Sequence, residues 1–378
     1  MDFGFSESQQ MLKTSARDFL SRECPHTLVR SMENDPLGYP PDLWRTIAGD
    51  LGWLGLALPE EYNGSGLDFV SLCVLLEEMG RALLPTPFFS TVVTGAMPIL
   101  HFGTEAQKQG FLPKISAGEL IMSFAQYEVS GRYDAEGIQL LAKSQGEGFS
   151  LEGTKLFVIN GHIADYLIVP ARTQSSSTPQ DGITCFLIPA KSDGISTMPL
   201  DTIASDKQYE MVFDNVSVAN NQILGKLNQG WKIIESISAS AAIGQCALML
   251  GGGDQVLEMT LAYVKDRVQF GRPIGSFQAI QHHCANMASD MEASRHITYH
   301  AAWRIAQGLE ASREVAMAKS WVSEAYRRVC ALGHQCHGAI GFTKEHNMQL
   351  YYRRAKAAEL AFGSPDHHRE QVAQMLGI

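Results

Sequence analysis

Apolar residues recur at helical spacing over most of the chain, with one interruption near its middle. In SESQQMLKTSARDFLSREC, Met11, Leu12, Ala16, Phe19 and Leu20 fall at helical spacing, and Ser6 with Gln9 three residues on forms an N-terminal capping pattern; Pro25 ends the helix. A second helix is predicted in PPDLWRTIAGDLGWLGLALPEEYNGSG, giving way to a loop punctuated by Pro59, Gly64 and Gly66. A third, in LDFVSLCVLLEEMGRAL, stops before Pro85. From about Leu120 the period shortens. LIMSFAQ, IQLLAKSQ, FSLEGTKLFVIN, ADYLIVPAR, GITCFLIPA and QYEMVFDNVSV are short runs rich in β-branched and aromatic residues, separated by Gly146-Glu147-Gly148, the Ser-rich stretch 175–182 and Asp193-Gly194. They predict a small β domain whose Ser-rich connection is a mobile hairpin loop. After Gly225 long helices return, at roughly 229–266, 276–307, 312–335 and 345–360. In the third of these, Met317, Trp321, Ala325 and Val329 recur every four residues and read as one buried face. Gly251 to Gly253 should each cost the first long helix about 1 kcal/mol relative to alanine, so close helix packing or a kink is expected there. These changes of period divide the chain into an all-α domain 1–118, a central β domain 119–226 and a helical bundle 227–378.

At 378 residues the chain exceeds the size at which one core usually keeps growing, consistent with several packed regions. With 45% hydrophobic and 19% charged residues it reads as globular, and a net charge of -10 argues against nucleic acid or an anionic membrane as the main partner. No apolar run is read as a membrane span, and residues 1–10 lack the pattern of a signal peptide, so a cytoplasmic location is expected. The seven cysteines, at 24, 73, 185, 246, 284, 330 and 336, form no CxxC pair and read as reduced thiols, mostly core. His296 and His300 have metal-compatible spacing but no acidic or thiol ligand in the pattern. His282 with His283 and His367 with His368 fare no better, and no metal site is expected.

Two stretches stand out. DRVQFGRPIGSFQAIQ, from Asp266 to Gln281, reads as a helix end, a tight turn and a new helix. Arg267 and Arg272 on either side of Phe270 and Gly271 can present guanidinium groups to phosphate beside a ring able to pack on an aromatic ligand. In QCHGAIGF, Gln335 to Phe342, Gly338 and Gly341 remove side chains where backbone would approach a ligand, with Gln335 and His337 as hydrogen-bond donors. Together they suggest a site for a phosphorylated, aromatic cofactor.

These stretches resemble the paired FAD-binding signatures of the acyl-CoA dehydrogenase family, and the resemblance extends over essentially the whole chain. It includes the N-terminal passage PEEYNGSGLDFVSLCVLLEEMGRALLPTPFF. The fold this implies is α+β: an N-terminal helical domain, a central small β domain and a C-terminal four-helix bundle. The implied chemistry is removal of a proton from Cα of an acyl-CoA by a carboxylate while hydride leaves Cβ for the flavin, with electron-transfer flavoprotein as electron acceptor. In the family each FAD lies across a dimer interface. One subunit holds the ring; its neighbour reaches over to hold the pyrophosphate and adenosine. The resemblance places Arg267, Phe270, Gln278, Gln335, His337, Gly338 and Ala339 in that reaching half, with Ala339 standing where the family has a second glycine.

The chemistry itself is missing from the pattern. The family's commoner base position falls on Phe362 and the alternative on Ala241, with Ala242 where an arginine often follows, so no catalytic residue is assigned. Glu359 and Glu235 are the nearest substitutes. On the flavin-ring side, Tyr127-Glu128-Val129-Ser130-Gly131-Arg132-Tyr133-Asp134 and Phe157-Val158-Ile159-Asn160 replace small polar groups with bulk. The resemblance therefore implies a non-catalytic subunit that donates its arm to a homologous catalytic partner in an α2β2 assembly. The ending FGSPDHHRE resembles members that act as unlike pairs, some on steroid side-chain CoA thioesters. The other readings are a self-sufficient homotetramer using Glu359, a flavin-free scaffold, and a different oxidation at a reworked flavin site.

Overall fold

The computed structural model describes residues 4–378; residues 1–3, where the reading of the N-terminus begins, lie outside them. In chain order the helices are α1 (Glu7–Glu23), α2 (His26–Asn34), α3 (Pro41–Arg45), α4 (Phe69–Ala82), α5 (Met97–Phe102), α6 (Glu105–Ser116), α7 (Trp231–Asp266), α8 (Gln278–Ala306), α9 (Ser312–His337), α10 (Met348–Leu360) and α11 (Pro365–Leu376). The strands are β1 (Met122–Phe124), β2 (Leu141–Gln145), β3 (Gly148–Ile159), β4 (Tyr166–Arg172), β5 (Ile183–Pro189), β6 (Ile195–Leu200), β7 (Gln208–Ala219), β8 (Ile223–Leu224), β9 (Val268–Gln269) and β10 (Arg272–Pro273). This is the expected α+β order of helices, sheet and helical bundle. The chain forms two compact units. One comprises everything up to Ser31 with Asp68–Leu84 and Ala242–Ile378; the other is Met32–Leu67 with Pro85–Ala241.

The second unit is built on a sheet of order β6-β7-β3-β2-β4-β5-β8, with β1 added in parallel beside β4. β4 and β5 are apolar at almost every position because both of their faces are covered. Alternation along them sends Ile168, Cys185 and Leu187 into a cluster with Leu112, Ile115 and Ile233, and Leu167, Val169, Phe186 and Ile188 into a second with Leu151 and Phe213. Lys155, within β3, has no exposed surface and meets the Glu128 carboxylate at 2.7 Å. The Ser-rich connection is fastened near its end: Arg172 Nη1 donates to the Pro179 and Asp181 carbonyls, both at 2.8 Å.

In the other unit α1 begins on the expected capping box of Ser6 and Gln9. α4 runs from its cap Asp68 to Leu83, which turns left-handed with φ 55°. Small residues bring α4 and α7 together. A Cβ on Gly251 would lie 1.7 Å from the Glu77 carbonyl oxygen, and one on Gly80 would lie 2.1 Å from that of Leu248. Close packing therefore explains these glycines, and α7 runs its 36 residues as one helix.

Three expectations are corrected. On α9, Ala325 and Val329 are buried but Met317 and Trp321 are each 42% exposed, so the stripe is a core face only at its C-terminal end. The helix α11, started by Ser364 with Pro365 in its first turn, was not anticipated. Finally, α7 is long and apolar enough to cross a membrane by length and composition alone, and 61% of its most apolar window is buried as core.

Candidate functional site

The first prominent stretch folds as a hairpin leaving the end of α7. Gln269 pairs with Arg272 across β9 and β10, and the two residues between, Phe270 and Gly271, both have positive φ, at 54° and 80°. That is the backbone of a type I′ turn, which suits glycine and strains phenylalanine. The Phe270 ring is 92% exposed at its tip. Arg272 stacks its guanidinium 4.3 Å from the Phe277 ring centroid. Arg267 differs. It is exposed, and its guanidinium makes no hydrogen bond or ion pair among the described residues; Glu258 pairs with Arg81 instead. Gln278, the first residue of α8, is exposed as well.

The second stretch caps α9. Gly338 has φ 65° with open space where a Cβ would stand, and Gln335, Gly338 and Ala339 are exposed. His337 points inward: Nδ1 donates to the Gly333 carbonyl at 2.7 Å, and the ring stacks on Tyr263 at 4.4 Å and 22°. Burial pulls its pKa below the ordinary imidazole value. Tyr263 lies one turn before Arg267, whose N–H donates to the Tyr263 carbonyl. The stack therefore joins the last turns of α7 and α9 and brings the two separated motifs side by side. His337 acts here as the fastening between them and stands apart from the exposed group.

Neither base position offers a carboxylate. Ala241 and Ala242 have no exposed surface. Phe362 sits half-buried in the turn between α10 and α11, with φ 56°, followed by Gly363 at 104°. Two buried basic side chains hold that turn. Lys319 Nζ donates to the Gly363, Ala358 and Glu359 carbonyls at 3.0, 3.1 and 3.2 Å and to Ser323 Oγ at 3.0 Å, while His368 Nε2 donates to the Phe362 carbonyl at 2.9 Å. Desolvation brings the Lys319 pKa down to about 8 and that of His368 to about 4. Sequence reasoning passed over Lys319 and weighed His368 only as a metal ligand, since their partners become visible only once α9, α10 and α11 are packed. Glu359 is paired with Lys356 at 3.0 Å and Arg327 at 3.6 Å, and Glu235 is exposed near the start of α7.

On the other candidate segment, polar groups satisfy one another. Arg132 pairs with Asp134 at 2.6 Å and Glu136 at 2.7 Å, and Tyr127 meets Tyr133 edge-on at 5.7 Å. The Glu128 carboxylate accepts from the Gln139 and Leu140 N–H groups as well as from Lys155. Phe157 has φ 55° where β3 and β7 slip register, and is 49% exposed. No cluster of metal-ligating side chains occurs among the described residues, and His296 pairs with Glu292 at 3.0 Å.

Comparison with known proteins shows the family. Family models described as the N-terminal, middle and C-terminal domains of acyl-CoA dehydrogenase match residues 6–119, 123–216 and 228–377. A probable acyl-CoA dehydrogenase of Bacillus subtilis is 33% identical over 382 residues, covering 100% of both chains. The solved butyryl-CoA dehydrogenase of Megasphaera elsdenii is 30% identical, with TM-score 0.92 and 100% of each chain covered. A chain of the ChsE4-ChsE5 complex of Mycobacterium tuberculosis is 28% identical, with TM-score 0.91, covering 100% of this chain and 99% of that one.

Proposed function

Because the chain belongs to the acyl-CoA dehydrogenase family, FAD-dependent oxidoreductases acting on acyl-CoA, we propose that it is the non-catalytic subunit of a heterotetrameric member. It contributes the pyrophosphate and adenosine half of an FAD site, and a homologous partner contributes the ring pocket and the base. The observation that carries this reading is the absence of a carboxylate at both base positions, where Ala241 is sealed in the core and the turn at Phe362 is tied down by Lys319 and His368. A self-sufficient enzyme would need Glu359, whose carboxylate is already held by Lys356 and Arg327.

The chain's fit to FAD is uneven. Arg267, Phe270, Gln278, Gln335, Gly338 and Ala339 form an exposed, largely unpartnered set, suited to a phosphate and a planar group presented from outside. The segments aligned with the ring half offer tyrosines and an arginine already paired with its neighbours. The role of this chain in the reaction is therefore to bind and orient the dinucleotide end, leaving proton abstraction to the partner. The acyl group is a bulky one in this reading, with a steroid side chain as the leading candidate from the FGSPDHHRE ending, and electron-transfer flavoprotein accepts the electrons. That a relative was solved as a two-component complex supports the unlike pairing.

The test is expression alone and together with a homologous catalytic subunit, measuring flavin per chain and acyl-CoA oxidation. The isolated protein should purify with little flavin, and the pair with bound FAD and activity. Near-stoichiometric FAD in the isolated chain would overturn the split-site reading.

A further inference from the structure

Residues 338–347 join α9 to α10 and are fastened by a cluster of three histidines. The segment folds back on the last turn of α9, where a Cβ on Gly341 would lie 3.0 Å from that of His337. The His337 ring touches both Tyr263 of α7, stacked at 4.4 Å, and His346 of the segment, at 4.9 Å between centroids. Nearby on α9, the His334 ring meets Phe342 of the segment at 4.8 Å and Tyr352 of α10 at 4.9 Å. His346 has a bond of its own, its Nδ1 accepting from the Met348 N–H at 3.2 Å where α10 begins. From α2, Arg30 donates to the Lys344 and Glu345 carbonyls at 2.6 and 3.0 Å and to Asn347 Oδ1 at 3.1 Å.

We propose that His337 and His346 make this segment a proton-operated latch: neutral, they close it against α7 and α9, and in mild acid they release it. The hydrogen bonds set what a proton does at each ring. At His346 the lone pair that accepts from Met348 is the one a proton would take, so protonation turns the acceptor into a second donor and breaks that bond. At His337 the Nδ1–H already donates to the Gly333 carbonyl, so the proton goes to Nε2 and the bond survives. The cost there is charge. The neighbours that act on His337 are His334 and His346, and those that act on His346 are His334 and Arg30. Tyr263 and Tyr352 also face the rings, while Lys344 and Glu345, the one carboxylate of 338–347, are exposed. Burial first and these positive charges second hold both imidazoles below their ordinary value. The closed segment therefore binds fewer protons than the open one, so closure is favoured in full above about pH 6.5 and is lost as pH falls below it. On the split-site reading, on which this consequence rests, release carries Gly338 and Ala339 away from Arg267, and the arm loses its hold on the dinucleotide end.

The test is hydrogen–deuterium exchange of the isolated full chain, read by mass spectrometry at about pH 7.5 and about pH 5.5 and corrected for the intrinsic exchange rate. Opening in peptides covering 338–352 should rise about tenfold or more over that interval, each proton taken up supplying a factor of up to about ten per pH unit, while the interior of α7 at 243–256 keeps its protection. His346→Gln offers the Met348 N–H a carbonyl that takes no proton, and its rise should be about threefold or less. Equal protection at both pH values, a rise shared by α7, or a variant that follows the native profile would overturn the latch. Should the variant fail to fold, the native profile set against that of α7 decides. The measurement needs no flavin, so the latch and the split-site reading fail separately. A co-expressed assembly that holds FAD equally at both pH values while the segment opens would keep the latch and count against the arm's role in holding the cofactor.

Discussion

An arginine at the end of a long helix ordinarily finds a carboxylate or one of the last carbonyls, and the Arg267 guanidinium finds neither among the described residues. Replacing it with alanine should therefore leave folding untouched by circular dichroism. In the assembled enzyme, FAD titration should show affinity falling about 10- to 150-fold, the equivalent of roughly 1.5 to 3 kcal/mol for a charge-assisted contact. Equal affinities would reduce the hairpin to a turn between helices. His368 is the opposite kind of residue, internal and fully engaged. Burial is the largest cause of its depressed pKa, with Lys319 and His367 adding to it, so the unfolded chain takes up a proton first. Its contribution is intact above about pH 6.5 and is lost as pH falls towards about 4, at most roughly 3 kcal/mol. Thermal melts of the native chain and His368→Gln should diverge in their pH dependence only over that window. Arg267 was legible in sequence because a charged motif at a helix end needs no tertiary information. The inward turn of His337 was not, because it depends on Tyr263, reached only when α7 and α9 pack.

Helix periodicity explains both a success and a failure of sequence reading. A residue every fourth position advances 400° per step, so a four-membered stripe drifts by about 120° around the helix. Met317 and Trp321 accordingly rotate into the open while Ala325 and Val329 stay in the core. The glycines of α7 were legible as close contacts because glycine inside a helix is destabilising unless backbone must approach it. At that contact Gly251→Ala should force α4 away from α7 and cost about 1 to 3 kcal/mol in urea unfolding. On the same turn of α4, Glu77 is 1% exposed and bonded to Lys13 at 2.5 Å, Arg295 at 2.6 Å and Tyr299 at 2.5 Å. Burial alone would raise its pKa, but the Arg295 and Lys13 charges outweigh it and hold the carboxyl below its usual value. Glu77→Ala should cost about 3 to 5 kcal/mol, since it strands the cations it serves. Its stabilising effect is present above the ordinary carboxylate pKa and fades as pH falls below it. A loss under 1 kcal/mol would mean that solvent already screens the cluster.

For the whole molecule, the shift of period near Leu120 and back after Gly225 made the order of helices and sheet readable, while the grouping of distant segments into compact units left no local trace. The partner-subunit reading can be probed at this scale. Glu359→Gln should leave turnover of the co-expressed assembly within a few-fold of wild type, whereas loss of a true general base costs about 100-fold or more. The Glu77 cluster has a further consequence, for the order in which the chain is made. Glu77 and its partner Arg295 are separated by 218 residues. At about 5 to 20 residues per second, α4 leaves the ribosome roughly 10 to 40 s before the guanidinium that neutralises it. Meanwhile every residue of the sheet-bearing unit, which ends at Ala241, has been synthesised. A nascent chain stalled just beyond that point should resist protease across 122–224 and be cut within 7–23, and the protection of α1 should arrive only when synthesis has passed α8.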